Sequence, residues 1–450
     1  MSADSSFCDA ISKVLCGCKV IHPSAAELLG APIGPEDSIV SLKNIAAALR
    51  SARDRLLKID RHDALTILKV SLGHPKVAYM LRAGSYFDSP GLALYDSGLR
   101  ETVISCLNVR IEEASWLQAT LPPRDGGLGL TSATSLALQA YVASFCATRD
   151  LSCKLLKSEP VTFIDDTYEL NLAFWKASVK NVKEPSAGED IFAWKWRGLL
   201  LANDISTVAA SAKDPRDASR IRAVASVKTA SLFSGLPNAR LGTRLSNDVF
   251  TVSVALRLGV AVAAPGVCVC GCSLDAYGDH ALVCRRGAGR YGRHTEINSR
   301  LKGALAEAGV SSILEPTGLT RSDGNRPDGA TVLPYSRGVP MAWDATIIHS
   351  CAFSYLHASA NSSGAAAAAA KERKKTKYAS LGDGISFVPF ALETLGPFGL
   401  SARRLLSDLV ARISSRTGKK KVRARLNRQF AAAVQAGNAA CVLEAHGRPT

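Results

Sequence analysis

The sequence predicts an α+β chain with a helical N-terminal half, a small metal module and an α/β core towards the C-terminal end. Three observations predict it. Apolar residues recur at helical spacing through the first third. Thiols and a histidine crowd into CVCGCSLDAYGDHALVC (Cys268–Cys284). The segment MAWDATII (Met341–Ile348) is apolar on both sides of a single acid, as in a buried strand, and a helix-forming run AAAAAAKERKKTK follows it. The resulting cuts are a helical region at 1–145, a helical connector at 146–260, the metal module at 261–290, the α/β core at 291–400 and a basic helical tail at 401–450.

Composition narrows the class. A chain of 450 residues can bury two or three cores. Apolar residues make up 47% and mean hydropathy is +0.08, so most of it should fold. Lysine and arginine number 55 against 39 acids, a net charge of +16 that favours a polyanionic partner through counterion release. Twelve cysteines could suggest a secreted disulfide scaffold, but the start MSADSSFCDAISK is acidic and lacks an apolar signal core. The longest apolar stretch, Val252–Val269, is broken by Arg257 and Pro265, short of the about 18 uninterrupted apolar residues of a membrane span. These features place the chain in a nuclear or cytoplasmic, reducing compartment with no membrane partner and no small-molecule substrate. Clustered thiols there signify metal more often than disulfides.

In chain order, Cys16, Cys18 and His22 lack a fourth ligand and make no site. Ile39, Leu42, Ile45, Ala46, Leu49, Leu56 and Leu57 mark a helix over 38–59, and further helices fit His62–Gly73, His74–Arg82 and Leu92–Leu107. FIDDTY (Phe163–Tyr168) imitates a polymerase acid pair at Asp165 and Asp166, but without a third carboxylate it reads as a solvated turn. Trp175, Trp194 and Trp196 indicate a packed helix. Leu236–Gly259 leads into the cysteines as a helix. Helices over Ser401–Ser415 and Val422–Ala436 flank GKKK, where Lys419, Lys420 and Lys421 form either a phosphate-binding face or a solvated one.

Cys268, Cys270, His280 and Cys284, with Cys272 as an alternate, supply the four soft ligands that structural zinc needs. His280 and Cys284 lie one helical turn apart and can face one ion. Gly271 and Gly278 permit the tight turns. Five candidate ligands within 17 residues are too dense for packing cysteines alone.

Downstream, RPDG sets Asp328 on a turn, and Asp344 is an acid in an apolar strand, costly unless paired or metal-bound. Two carboxylates can hold Mg²⁺ or Mn²⁺, which activates water and offsets phosphate charge. A lysine beside them stabilises developing negative charge. Lys374 with Tyr378 makes a pair one turn apart, and Lys377 is adjacent.

The pattern P-D, fifteen residues, D-x-T resembles the PD-(D/E)xK nuclease core, with Thr346 where a lysine is expected. The cysteine–histidine cluster, RYGRHTEIN, LEPTGLTRSDGNRPDG, WDAT, KTKYASL and FVPFALETLG (Phe387–Gly396) resemble the restriction-enzyme-like endonuclease end of non-LTR retrotransposon proteins. ELLGAPIG, ARDRLLKI, LGHPKVAYMLR, LALYDSGLR, WLQATLPPRDGGLGL (Trp116–Leu130) and ALQAYVAS resemble the segment after the palm in the same proteins. The resemblance implies a thumb-like region that grips template–primer duplex, a zinc module that binds target DNA, and an Mg²⁺-dependent endonuclease that nicks it, with element RNA as a further partner. By motif, Asp328 and Asp344 hold the metal and Lys374 or Lys377 assists the water. Glu315 is a further ligand candidate. Arg293, His294, Arg326, Lys371 and Lys375 are expected to meet nucleic acid, and Glu393 to support the site. The matching segments begin after the palm, so no polymerase site is expected. The alternatives are a catalytically inactive or domesticated nucleic-acid-binding remnant and a zinc protein that binds other proteins.

Overall fold

A strand with a single acid among apolar residues has to be covered on both faces, and the C-terminal half is built to cover one. A computed structural model describes residues 27–32, 35–157, 166–179, 194–225, 227–320, 324–381 and 384–445. Cys16, Cys18, His22 and Asp165 lie outside the described residues. Two compact units emerge, Met1–Lys58 with Ile67–Val103 and Thr131–Asn203, and Ile59–Thr66 with Ile104–Leu130 and Asp204–Thr450. Segments 59–66 and 104–130, inside the first helical region of the sequence, therefore pack with the C-terminal unit.

The described residues open on a hairpin of β1 (Glu27–Leu28) and β2 (Ala31–Pro32). Helices α1 (Pro35–Leu56), α2 (Arg61–Ile67), α3 (Ala78–Ala83), α4 (Pro90–Leu107), α5 (Glu113–Thr120), α6 (Ala133–Leu156), α7 (Asp166–Ser178) and α8 (Trp194–Ala210) follow. Helix α1 buries Leu42, Ala46, Leu49 and Leu56 of the expected stripe and Ala52 beside them, while Ile45 is half-buried and Leu57, just past the helix end, is exposed. Trp175 and Trp196 meet edge-on at 4.5 Å over Leu138, Val142 and Leu172, which gives the first unit an aromatic-centred core. Asp166 is the first residue of α7, where an acid offsets the positive end of the helix dipole.

In the second unit, α9 (Pro215–Val224), α10 (Val227–Ser234) and α11 (Asn247–Leu258) precede a hairpin of β3 (Gly266–Val267) and β4 (Ser273–Leu274). Then come α12 (Asp279–Val283), α13 (Ala288–Glu307), β5 (Ser312–Leu314), β6 (Gly329–Thr331), β7 (Met341–Ile348), α14 (Leu356–Asn361), α15 (Ala365–Lys377), β8 (Ser386–Glu393), α16 (Leu400–Thr417) and α17 (Val422–Leu443). The sheet runs β5-β6-β7-β8, antiparallel except for the parallel β7–β8 pair. A parallel pair needs a crossover, and α15 lies on it.

Alternation along β7 splits its residues between two layers. Met341, Trp343 and Ala345 join Ile297, Leu301, Phe390, Leu406 and Phe430 under α13, α16 and α17. Ile348 packs with Ala391 against Ala366, Ala367 and Ala370 of α15. The alanine run is thus both a helix former and a close-packing face. This is an α+β fold with a mostly helical N-terminal half, as the sequence predicts. Among the described residues no helix is long and apolar enough to cross a membrane.

Candidate active site and metal centre

Asp344, 3% exposed, faces the α15 side of β7. Lys374 and Tyr378, one turn apart, converge on it. The Lys374 ammonium lies 2.5 Å from Oδ1, and the Tyr378 hydroxyl is 2.7 Å from Oδ2. That phenol proton is shared with the carbonyl of Arg326 at 2.8 Å, which ties the helix end to the loop before Asp328. Oδ1 is buried and receives no hydrogen bond of regular geometry, although the ammonium is close. The ammonium compensates the buried charge from the helix side.

Asp328 lies beside it across the sheet. Gly329 pairs with Trp343, so Asp328, just before one, and Asp344, just after the other, are neighbours across the next rung. The glycine is required there, since a Cβ would fall 2.1 Å from the Trp343 ring. Asp328 Oδ2 accepts from the Ala345 amide at 2.6 Å and the Asn298 amide at 3.2 Å, and pairs with His294 Nε2 at 3.0 Å. Asn298 in turn accepts from the Trp343 indole at 3.0 Å. Burial pushes the Asp328 carboxyl up, but the His294 contact and the two other donors outweigh it and hold the acid below its ordinary range. The hydrogen bond to Asp328 raises His294 in return. The two acids are therefore held from different helices, Asp344 by α15 and Asp328 by α13.

Other predicted residues take different positions. Glu315 N–H donates to the Asp328 carbonyl, so Glu315 shares the rung, but its backbone turns left-handed at φ +49° and its side chain pairs with Arg326 in solvent. It is not turned towards Asp344. Lys377 donates to Asn325 at 2.9 Å, leaving Lys374 as the lysine that reaches the acid. Lys371 pairs with Glu372 at 2.8 Å, Lys375 is near the same acid, and Lys419, Lys420 and Lys421 are exposed. Arg293 departs from expectation. It is 2% exposed, bonds Asn438 at 2.7 Å and the Leu282 carbonyl at 3.1 Å, and so ties α13 to α17 instead of meeting a phosphate. His294, also expected on the nucleic-acid surface, holds Asp328. Glu393 supports the site from below. Its buried carboxylate accepts from the Ala367 amide at 2.9 Å and the Ser350 hydroxyl at 2.7 Å, anchoring the first turn of α15, and burial raises its carboxyl. Sequence reading missed Asn298; its signal is the i, i+4 spacing from His294 on a helix face beside Ile297 and Leu301.

Cys268, Cys270, His280 and Cys284 gather with all their ligand atoms within 4.8 Å of one another, a cluster that could hold a metal such as zinc. Cys268 and Cys284 sulfurs are 3.6 Å apart, and Cys270 Sγ is 3.2 Å from His280 Nε2. Tetrahedral zinc with bonds of about 2.0–2.3 Å spaces its ligands by roughly 3.5 Å, so the set fits. Gly271 at φ +87° closes the hairpin turn that brings Cys268 and Cys270 round, and Asp275 accepts from the Asp279 and His280 amides at 3.0 and 2.8 Å to start α12. The Cys272 backbone N–H lowers the Cys270 thiol to about 6, and burial pushes Cys268 up to about 11. Cys272 itself is exposed and outside the tetrad. A second group, Asp279, His349 and Cys351, comes equally close, but Arg216 forks onto Asp279 at 2.7 and 3.0 Å while His349 binds Asp279 and Thr394. Its donors already have protein partners, and it serves to tie the metal module to the end of β7.

No protein-family model matches the chain, and no curated protein matches it.

Proposed function

We propose that the chain is an endonuclease that nicks DNA by Mg²⁺- or Mn²⁺-dependent phosphodiester hydrolysis. One observation carries the reading. A buried acid in an apolar strand has an ammonium and a phenol converging on it, and a second acid beside it across the strand pair. Asp328 and Asp344 would hold the ion, which when bound supplies Lewis-acid charge and a more acidic water. Lys374 reaches to Asp344 Oδ1, where it would meet the charge that develops on a transferring phosphate. Tyr378 orients Asp344, and His294 with Asn298 orients Asp328. Zinc in the Cys268, Cys270, His280, Cys284 cluster would be structural, since four protein ligands leave no open position. Arg326, Lys371, Lys375 and Lys419–Lys421 offer phosphate contacts for DNA, and for element RNA, in a nuclear protein of the retrotransposon type.

A second reading, a nucleic-acid-binding remnant without catalysis, is favoured by one observation of its own. Both acids already have a counter-charge or donor set, Lys374 for Asp344 and His294 for Asp328, and Thr346 stands at the usual lysine position. Incubating purified protein with supercoiled DNA and Mg²⁺, Mn²⁺ or EDTA decides between them. Metal-dependent nicking that Asp344→Ala loses supports the nuclease. Binding without nicking by either protein supports the remnant.

A further inference from the structure

We propose that Phe353 is a stacking platform for an unpaired nucleic-acid base, set beside the helix that reaches Asp344. The inference rests on the nucleic-acid reading above and narrows its substrate to one with unpaired bases near the cut. Phe353 is 95% exposed and opens the single turn Phe353–Tyr355 between β7 and α14. The backbone around it is fixed. The Ser350 carbonyl accepts from the Ser219 hydroxyl at 3.0 Å, the Ser350 hydroxyl donates to Glu393, and the Ala352 amide donates to the His349 carbonyl at 3.1 Å. Ser350 is fully buried and Cys351 nearly so. A rigid loop thus holds the ring in water.

The residues that follow the ring in the same turn argue for its occupant. Tyr355, two residues on, packs on the Ile348, Ala366, Ala367 and Ala370 cluster, and the Arg373 guanidinium lies 5.2 Å from its ring centroid. Arg373 is exposed and adjacent to Lys374, whose ammonium is at Asp344. Lys371 and Lys375 flank it, with Glu372 the one acid in that stretch of α15. An exposed ring two residues from one that lies under a guanidinium, next to a basic helix face, matches a strand that carries a π face and a phosphate per residue. In an intact duplex both faces of an internal base are covered by stacking, so the ring fits a single-stranded tail, a flap or an opened duplex.

The test measures binding without added Mg²⁺ or Mn²⁺, using single-stranded and duplex oligonucleotides that carry 2-aminopurine. Phe353→Tyr and Phe353→Trp should keep the fluorescence quench of the wild type. Phe353→Ala and Phe353→Leu should lose it and bind the single strand about ten-fold more weakly, about 1.4 kcal/mol, with duplex affinity unchanged. Retention by Phe353→Leu means that apolar area suffices, and overturns stacking. An unchanged Phe353→Ala on a wild type that binds the oligonucleotide overturns the inference and leaves the nucleic-acid reading intact. No binding by the wild type overturns both. A change of mass by light scattering in Phe353→Ala assigns the ring to a second copy and also overturns the proposal.

Discussion

Asp344 illustrates how one residue type in one environment demands partners. A carboxylate with 3% exposure must be compensated, and the compensation comes from Lys374 and Tyr378, one turn apart on a helix whose alanines let it approach the sheet. Lys374→Ala should reduce nicking by about a hundred-fold or more, the usual effect of removing a charge-stabilising donor. Lys377→Ala, whose side chain bonds Asn325, should stay within about three-fold of wild type in the same assay. Equal losses would mean that the pairing with Asp344 does not select the lysine. The Asp328–His294 pair makes a pH prediction. His294 is raised above 6.5, so its contribution is complete below 6.5 and fades as pH rises through the raised value. Asp328 is lowered from 3.8, so its share is present above 3.8 and fades as pH falls through the lowered value. The melting-temperature difference between wild type and His294→Gln, without divalent metal, should therefore be largest between pH 3.8 and 6.5 and close above it. A difference that grows above pH 7 would sink the pairing. Asp344, Lys374 and Tyr378 were legible because strand pattern and helical spacing are local. Arg293 was misread because RYGRH looks like surface, and nothing local reveals that Asn438, 145 positions on, takes its guanidinium.

The metal module shows the same division for an element. Strands of two residues are too short to persist alone, and α12 has only five residues. They are held by packing of Cys268, Leu274, Leu282 and Cys284 on Leu256 of α11 and Val442 of α17, and the four grouped ligands could add a metal to that packing. The ligand spacing was readable because turns and a short helix relate the residues within one segment, whereas the supporting helices lie elsewhere in the chain. Purified protein should contain about one zinc per chain by elemental analysis, kept in Cys272→Ser and lost in Cys284→Ser. If even about 2 kcal/mol of the metal's binding energy stabilises the fold, chelation should lower the melting temperature by roughly 4–8 °C. Zinc loss in Cys272→Ser with retention in Cys284→Ser would reassign the ligands.

At the scale of the whole molecule, neither composition nor periodicity predicts the partition of the chain. Membership of segments 59–66 and 104–130 in the second unit rests on distant pairs. Arg61 bonds Thr251 at 2.7 Å, and Gln118 accepts from Arg220 at 2.9 Å and donates to the Arg257 carbonyl at 3.1 Å. Pairs 102 to 190 positions apart leave no periodicity to read. Charge needs no such pairing to act. A surplus of +16 attracts any polyanion, and each phosphate neutralised releases a condensed counterion, so the logarithm of affinity falls with the logarithm of salt by about 0.9 per contact on duplex DNA. Lys419, Lys420 and Lys421 sit in the exposed turn between α16 and α17, where replacement removes no buried contact. Changing all three to alanine should leave the melting temperature within about 1 °C and make the salt slope shallower by roughly 3 if each meets a phosphate. A slope that does not move would assign GKKK to a solvated turn and place the phosphate contacts elsewhere, with Arg326, Lys371 and Lys375 as the next group to replace.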